Sequence, residues 1–196
     1  MDSYKVIVCR EGFSNMTSSG LCSSACTITL ICGQFNILFD PGCPWDENLI
    51  KSILAEHHLN FQDINYVICS HGHVDHVGNL HDFLHATIIV GTDILSKGMS
   101  KKAQISSSDP FIIDNNVRVI STPGHTQHDV SLVVQNVPKL GTVVVSGDIF
   151  ENQHDRTDEK LWRDVSIRPD LQEKSRNLIL SLADYIVPGH GPMFRS

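Results

Sequence analysis

Ser70-His71-Gly72-His73-Val74-Asp75-His76 sets three imidazoles and a carboxylate within six positions, directly after the apolar run Val67-Ile68-Cys69. Imidazole and carboxylate are ligands for Zn, Mn and Fe. In extended chain, residues two apart point the same way, so His71 and His73 can share one ion. His76 breaks that alternation and can face a second ion beside Asp75.

Three later stretches repeat the theme. Residues 117–120 run into Pro123-Gly124-His125-Thr126, residues 142–146 into Gly147-Asp148, and residues 185–187 into Pro188-Gly189-His190-Gly191. Each time a glycine beside the ligand-type residue permits a tight turn and close backbone approach. One Gly-His alone says little. Three such turns in order after the histidine-rich segment predict a preorganised site at the ends of adjacent strands. The candidate metal ligands are therefore His71, His73, Asp75, His76, His125, Asp148 and His190.

The rest of the chain supplies the frame for those turns. Runs rich in Val, Ile and Thr at residues 5–9, 26–32, 35–39, 64–69, 87–90, 117–120, 130–134, 142–146 and 185–187 read as strands, with a hairpin turn at Gly33-Gln34. Helical patterns lie between some of them. Asp46 is placed to cap residues 47–57, whose Leu49, Ile50, Ile53 and Leu54 form one stripe. A short helix is expected over 79–85. Another is expected over 170–183 behind Pro169, with Leu171, Leu178, Ile179 and Leu182 facing inward. Strand pairs mixed with crossover helices predict an α/β (α+β) fold of mixed sheets covered by helices. Residues 96–110 and 151–168 read as irregular, substrate-facing loops.

At 196 residues the chain is expected to form a single domain, residues 1–196. The hydrophobic fraction of 41% suits a soluble globular protein. No apolar run approaches the ~20 residues of a membrane span, and the first ten residues read as a strand rather than a signal peptide. The six cysteines sit mostly in strand-like runs, and Cys22-x-x-x-Cys26 has no second pair to join it. Cytosol or nucleus is the expected compartment. The net charge of −7 excludes a strongly basic nucleic-acid footprint, although the acidic excess lies wholly in the first half.

The spacing His71-x-His73-x-Asp75-His76, followed by His125, Asp148 and His190, resembles the dinuclear pattern of the metallo-β-lactamase superfamily in full. The resemblance covers nearly the whole chain. It implies an αββα sandwich with the metals at one edge of the two sheets. It also implies that His71, His73 and His125 hold one ion, that Asp75, His76 and His190 hold the other, and that Asp148 bridges them. Asp40, in Leu38-Phe39-Asp40-Pro41-Gly42, matches a family position that supports a metal-binding histidine from behind; a simple turn-forming role is its alternative. The residues 142–151 and 188–195, with Asp129-Val130-Ser131, are similar to an animal group within that superfamily. That group is implicated in endoribonucleolytic cleavage at the 3′ ends of histone pre-mRNA and is classed beside the glyoxalase II hydrolases.

By the same resemblance the cofactor is two divalent metal ions, with Zn preferred over Fe or Mn for a ligand set without thiolate. Such a pair acidifies a shared water and delivers hydroxide at neutral pH, with Asp75 orienting it or shuttling its proton. The expected activity is hydrolysis of RNA phosphodiesters, with single-stranded histone pre-mRNA as partner. The second reading is a thioester or lactone hydrolase of small molecules, and the third a metal-bound binding protein with little catalysis. Trp162 and Arg163 are candidates for holding a single strand, against packing of Trp162 under a helical turn at 158–164. His128 and His154 lie near the motifs with roles left open, and a homodimer is expected from the resemblance.

Overall fold

Alternation within each strand builds the molecule. Ile31, Ile37, Phe39 and Ile68 point one way and meet Val119, Leu132, Val145 and Val187 in a buried layer between two sheets. Their strand neighbours Leu30, Leu38 and Val67 point the other way and pack on Ile50, Ile53 and Leu54 of a helix. In the second sheet, Ile120, Val133, Val144 and Ile186 likewise face Ile179 of another helix. A sheet apolar on both faces needs cover on both, and the result is helix, sheet, sheet, helix. These features come from a computed structural model that describes residues 3–101, 105–106 and 108–196.

The first sheet has seven strands in the order β1-β4-β5-β6-β7-β8-β9. They are β1 (Lys5–Arg10), β4 (Ile28–Cys32), β5 (Ile37–Phe39), β6 (Tyr66–Cys69), β7 (Thr87–Val90), β8 (Asp93–Ser96) and β9 (Met99–Lys101). A separate hairpin, β2 (Phe13–Met16) with β3 (Cys22–Ala25), projects from it in sequence between β1 and β4. The second sheet has six strands in the order β10-β11-β12-β13-β14-β15. They are β10 (Phe111–Ile112), β11 (Val117–Ser121), β12 (Val130–Val137), β13 (Gly141–Gly147), β14 (Tyr185–Pro188) and β15 (Phe194–Arg195). The pairs β5–β6, β6–β7 and β13–β14 are parallel and the rest antiparallel, the mixture expected. Among the described residues, three α-helices complete the fold: α1 (Glu47–Glu56), α2 (Lys160–Arg163) and α3 (Pro169–Leu182).

Several expectations needed correction. Asp46 does not cap α1 through its side chain. Its Oδ2 instead accepts from Arg10, at 2.6 Å, and from the Cys43 N–H, at 2.7 Å. The segment after Asn79 is a 3₁₀ turn, Leu80–Phe83. The loop expected over 96–110 contains β9, while its residues 102–104 and 107 lie outside the described residues. The loop expected over 151–168 holds a 3₁₀ turn, Gln153–Arg156, and α2. The inward stripe of α3 is only partly apolar: Gln172, Ser175 and Arg176 are buried beside Ile179. Cys22 and Cys26 are both free, one exposed and one buried. Among the described residues, no helix is long and apolar enough to cross a membrane.

Candidate metal centre

Each ligand-type residue leaves the same end of a strand. His71, His73, Asp75 and His76 follow β6, the centre of the first sheet. His125 follows β11, Asp148 follows β13 and His190 follows β14, all in the second sheet. Facing sheets therefore deliver ligands from both halves of the chain to one edge of the sandwich.

There the side chains converge. His71, His73, His125 and Asp148 offer ligand atoms all within 4.8 Å of one another, and so do Asp75, His76 and His190. Nε2 of His71 lies 2.7 Å from Nδ1 of His73, which lies 3.1 Å from Nε2 of His125. His73 thus turns its Nδ1 inward while its two neighbours turn Nε2. Asp148 stands between the two groups. Its Oδ2 is 3.3 Å from Nε2 of His125 and 3.3 Å from Nε2 of His190. Its Oδ1 is 3.4 Å from Nε2 of His76. Asp75 Oδ2 lies 3.9 Å from both His76 and His190, and accepts a hydrogen bond from Ser24 Oγ at 3.0 Å.

These residues fit divalent cations. Nε2 of His76 and Oδ1 of Asp148 are buried with no hydrogen-bond partner. Buried polar atoms are rarely left so, and a shared cation satisfies both. The charge pattern agrees. Burial alone would raise the pKa of Asp148, but His76, His190 and His71 outweigh it and hold the carboxylate well below its ordinary range. Burial opposes charging of His76 and His190, yet Asp148 prevails, keeping His76 well above the usual imidazole range and His190 at about 9. Burial dominates at His71 and His125, which are lowered. The carboxylates thus favour positive charge at this point, which bound cations would supply.

The outward faces of the rings are also held. Nδ1 of His76 lies 2.8 Å from Oδ2 of the wholly buried Asp40. Asp40 accepts as well from Ser70 N–H and Ser70 Oγ–H, at 2.7 and 3.0 Å. Asp40 thus stands behind the ring of His76, and its backbone is left-handed, φ 53°, as a turn there requires. Ser70 Oγ lies 2.9 Å from Nδ1 of His71, and Nδ1 of His190 lies 3.1 Å from the Ala25 carbonyl. Such partners fix which ring nitrogen is free to ligate.

Residues that sequence reasoning did not assign complete the support. Asp129 Oδ2 accepts the N–H groups of Gly124 and Thr126, at 3.0 and 2.7 Å, which clamps the turn carrying His125. From α3, Gln172 donates to the Asp148 carbonyl and Ser175 to the Pro123 carbonyl. The signal was available: polar residues on the stripe of α3 that should be apolar. Glu151 is buried beside the centre, within reach of Asp148 and His190. Trp162 is buried, packed face-on by Arg176 and Arg163, so it is unavailable for stacking on a strand; Arg163 is itself paired with Glu159 and Glu173. Next to His71 and His73 opens a cavity of about 410 Å³, lined also by Val90, Thr92, Gln127 and His128. His154 faces a different cavity, beside Arg156 and Arg195.

Comparison with known proteins agrees with this architecture. Residues 24–92 match the Metallo-beta-lactamase superfamily. Metallo-beta-lactamase domain-containing protein 1 of Xenopus laevis is 39% identical over 194 residues, spanning 98% of this chain and 82% of that protein. A hydroxyacylglutathione hydrolase of Shewanella sp. (strain ANA-3) is 27% identical over 153 residues, or 70% of this chain and 53% of that enzyme. A Thermotoga maritima crystal structure assigned to the metallo-beta-lactamases superposes with a TM-score of 0.73 at 17% identity, covering 99% of this chain and all of that one. With 39% identity to the Xenopus laevis protein over 98% of its length, and with the αββα sandwich and the histidine–aspartate cluster at its edge, the chain belongs to the metallo-beta-lactamase superfamily.

Proposed function

We propose that the chain is a dinuclear metal-dependent hydrolase that cleaves phosphodiester bonds in RNA, with single-stranded histone pre-mRNA as the substrate class. One observation carries the hydrolase reading: Asp148 faces two separate ligand groups whose atoms converge within a few ångströms of it. Two divalent cations held there, with zinc preferred by five histidines and two carboxylates, would acidify a water and polarise the ester oxygen.

The protein's own groups do the rest. Asp148 sets the separation of the two ligand groups. Asp75, partly solvent-exposed where His76 and Asp148 are buried, is the carboxylate best placed to orient the attacking water and pass its proton to the leaving oxygen. The Ser24 hydroxyl fixes one Asp75 oxygen for that task. Support for RNA comes from the resemblance to the animal group.

A second reading, hydrolysis of small thioesters or lactones, is favoured by a different observation. The cavity beside His71 and His73 has a largely apolar wall with a few polar groups, among them Thr92, Thr126, Gln127 and the Asp93 carboxylate, and no Lys or Arg among its described residues. The hydroxyacylglutathione hydrolase among the relatives points the same way. The test assays one metal-replete preparation on a synthetic histone pre-mRNA 3′ end, a thioester panel and a lactone panel, with elemental analysis alongside. Cleavage of the RNA that is lost with chelator and with Asp75→Asn supports the first reading. RNA cut equally by Asp75→Asn is contamination and removes it, and turnover confined to thioesters or lactones transfers the assignment to the second.

A further inference from the structure

Of the histidines that point Nε2 at the centre, His76, His71 and His190 have Nδ1 within 3.1 Å of a partner: Asp40, Ser70 Oγ and the Ala25 carbonyl. His125 is the exception. Its Nδ1 is buried and has no hydrogen-bond partner, although the ring is 5% exposed. Oε1 of Glu151 stands 3.7 Å away, on a residue itself only 8% exposed. The other Glu151 oxygen lies 4.0 Å from Nε2 of His190. Glu151 is anchored through its backbone, whose N–H donates to Asp155 Oδ2 at 2.7 Å, so its carboxylate is presented to the centre by a fixed turn.

We infer that Glu151 is the positioning residue for His125. When the centre is loaded, its carboxylate accepts the Nδ1–H of His125 and thereby commits Nε2 to the metal. An imidazole with an orphaned, buried Nδ1–H pays a desolvation penalty that only an acceptor removes, and a carboxylate is the strongest acceptor available to it. A shift of under an ångström closes the contact. The alternative for a carboxylate in this position is direct ligation, since Glu151, Asp148 and His190 also offer atoms within 4.8 Å of one another. Geometry favours the supporting role: His125 lacks an outer partner that the other three rings possess.

This inference rests on the metal-centre reading above, and the experiment separates the two. Cobalt(II)-substituted wild type, Glu151→Gln and Glu151→Ala are compared by metal stoichiometry, by competition with a chelator and by the hyperfine-shifted exchangeable N–H resonances of the ligand imidazoles. Gln retains an acceptor oxygen at the same length, and Ala does not. The expected result is a 10- to 100-fold weaker metal affinity for Glu151→Ala, roughly the loss seen when such partners are removed elsewhere, with rescue by Glu151→Gln to within a few-fold. One imidazole N–H resonance should exchange faster in Ala only. Equal affinity and unchanged resonances in all three proteins overturn the inference. So does Glu151→Gln as weak as Glu151→Ala, which marks a ligand. If Glu151→Ala does not fold, Glu151→Gln against wild type still decides between support and ligation. Failure of wild type to bind cobalt at all would strike the metal centre itself.

Discussion

The carboxylate of Asp40 and the imidazole of His76 are both fully buried and lie 2.8 Å apart, the aspartate behind the ring and the centre in front of it. Asp40 also receives the Ser70 N–H, so one carboxylate positions the histidine and closes the turn that follows β6. Replacing it with alanine strands the Ser70 amide and leaves His76 Nδ1 only the Ser70 hydroxyl, at 3.3 Å. Asp40→Ala is expected to lose about 3–5 kcal/mol of stability, the usual cost of breaking a buried charged pair. Denaturant unfolding measures that loss, and a change below 1 kcal/mol would contradict it. Metal affinity should fall about 10- to 100-fold in the same variant.

Gly189 tests the fit of the Asp148 carboxylate. A Cβ built on Gly189 would land on Asp148 Oδ1, whereas one on Gly191 would come no closer than 3.0 Å to any atom, the Asn152 Cβ, with Pro188 farther off. Gly189→Ala should therefore displace Asp148 and strip the metal, while Gly191→Ala keeps it. Overpacking of this kind costs roughly 1–3 kcal/mol, so the fold should survive. Circular dichroism and elemental analysis of both variants check the contrast; full metal occupancy in Gly189→Ala would refute it.

Asp129 gives a pH dependence. Burial raises its pKa from the ordinary 3.8 to about 6, against the pull of hydrogen bonds from Thr126 and Gly124. The folded state therefore holds this proton more tightly than the unfolded chain does. Its contribution is fully present below about pH 4 and is lost as pH rises through about 6, a fall on the order of 3 kcal/mol. Asparagine can keep the contacts, its oxygen accepting both amides and its nitrogen donating to the Thr126 hydroxyl. Asp129→Asn should then remove this part of the pH dependence, read as the wild-type-minus-variant difference in unfolding free energy from pH 4 to 7.5. A flat difference would count against the assignment.

Chelation should expose the link between occupancy and stability. A ligand present at 100 times its dissociation constant stabilises the folded state by about 2.7 kcal/mol. For a chain of this size that corresponds to a melting temperature lowered by roughly 5–10 °C on metal removal. Calorimetry of loaded and chelated protein, with back-titration of zinc, iron and manganese, checks the shift and ranks the metals. An identical melt in both states would argue that no ion is held.

Much of this is legible in the amino-acid sequence alone. The long Val- and Ile-rich strands announced themselves because both faces of each sheet are covered, and the ligand-bearing turns stood out because glycine and histidine recur at their ends. The hairpin of β2 and β3 did not, since Phe13-Ser14-Asn15-Met16 and Cys22-Ser23-Ser24-Ala25 are short and largely solvent-facing. Strands β10 and β15 are two residues each, too brief for periodicity. Asp46 misled because its carboxylate answers to Arg10, 36 positions away, rather than to its own helix. The support from Asp129 and Glu151 was hidden for the same reason, since it depends on which loops meet in space, whereas the polar stripe of α3 that carries Gln172 and Ser175 was there to be read.

The Thr27 N–H donates to the Gly189 carbonyl at 2.7 Å, and the Ala25 carbonyl meets the ring of His190. The turn carrying His190 is thus stitched to a segment more than 160 positions earlier, so the pocket cannot close on the ribosome until that turn has emerged and folded back onto it.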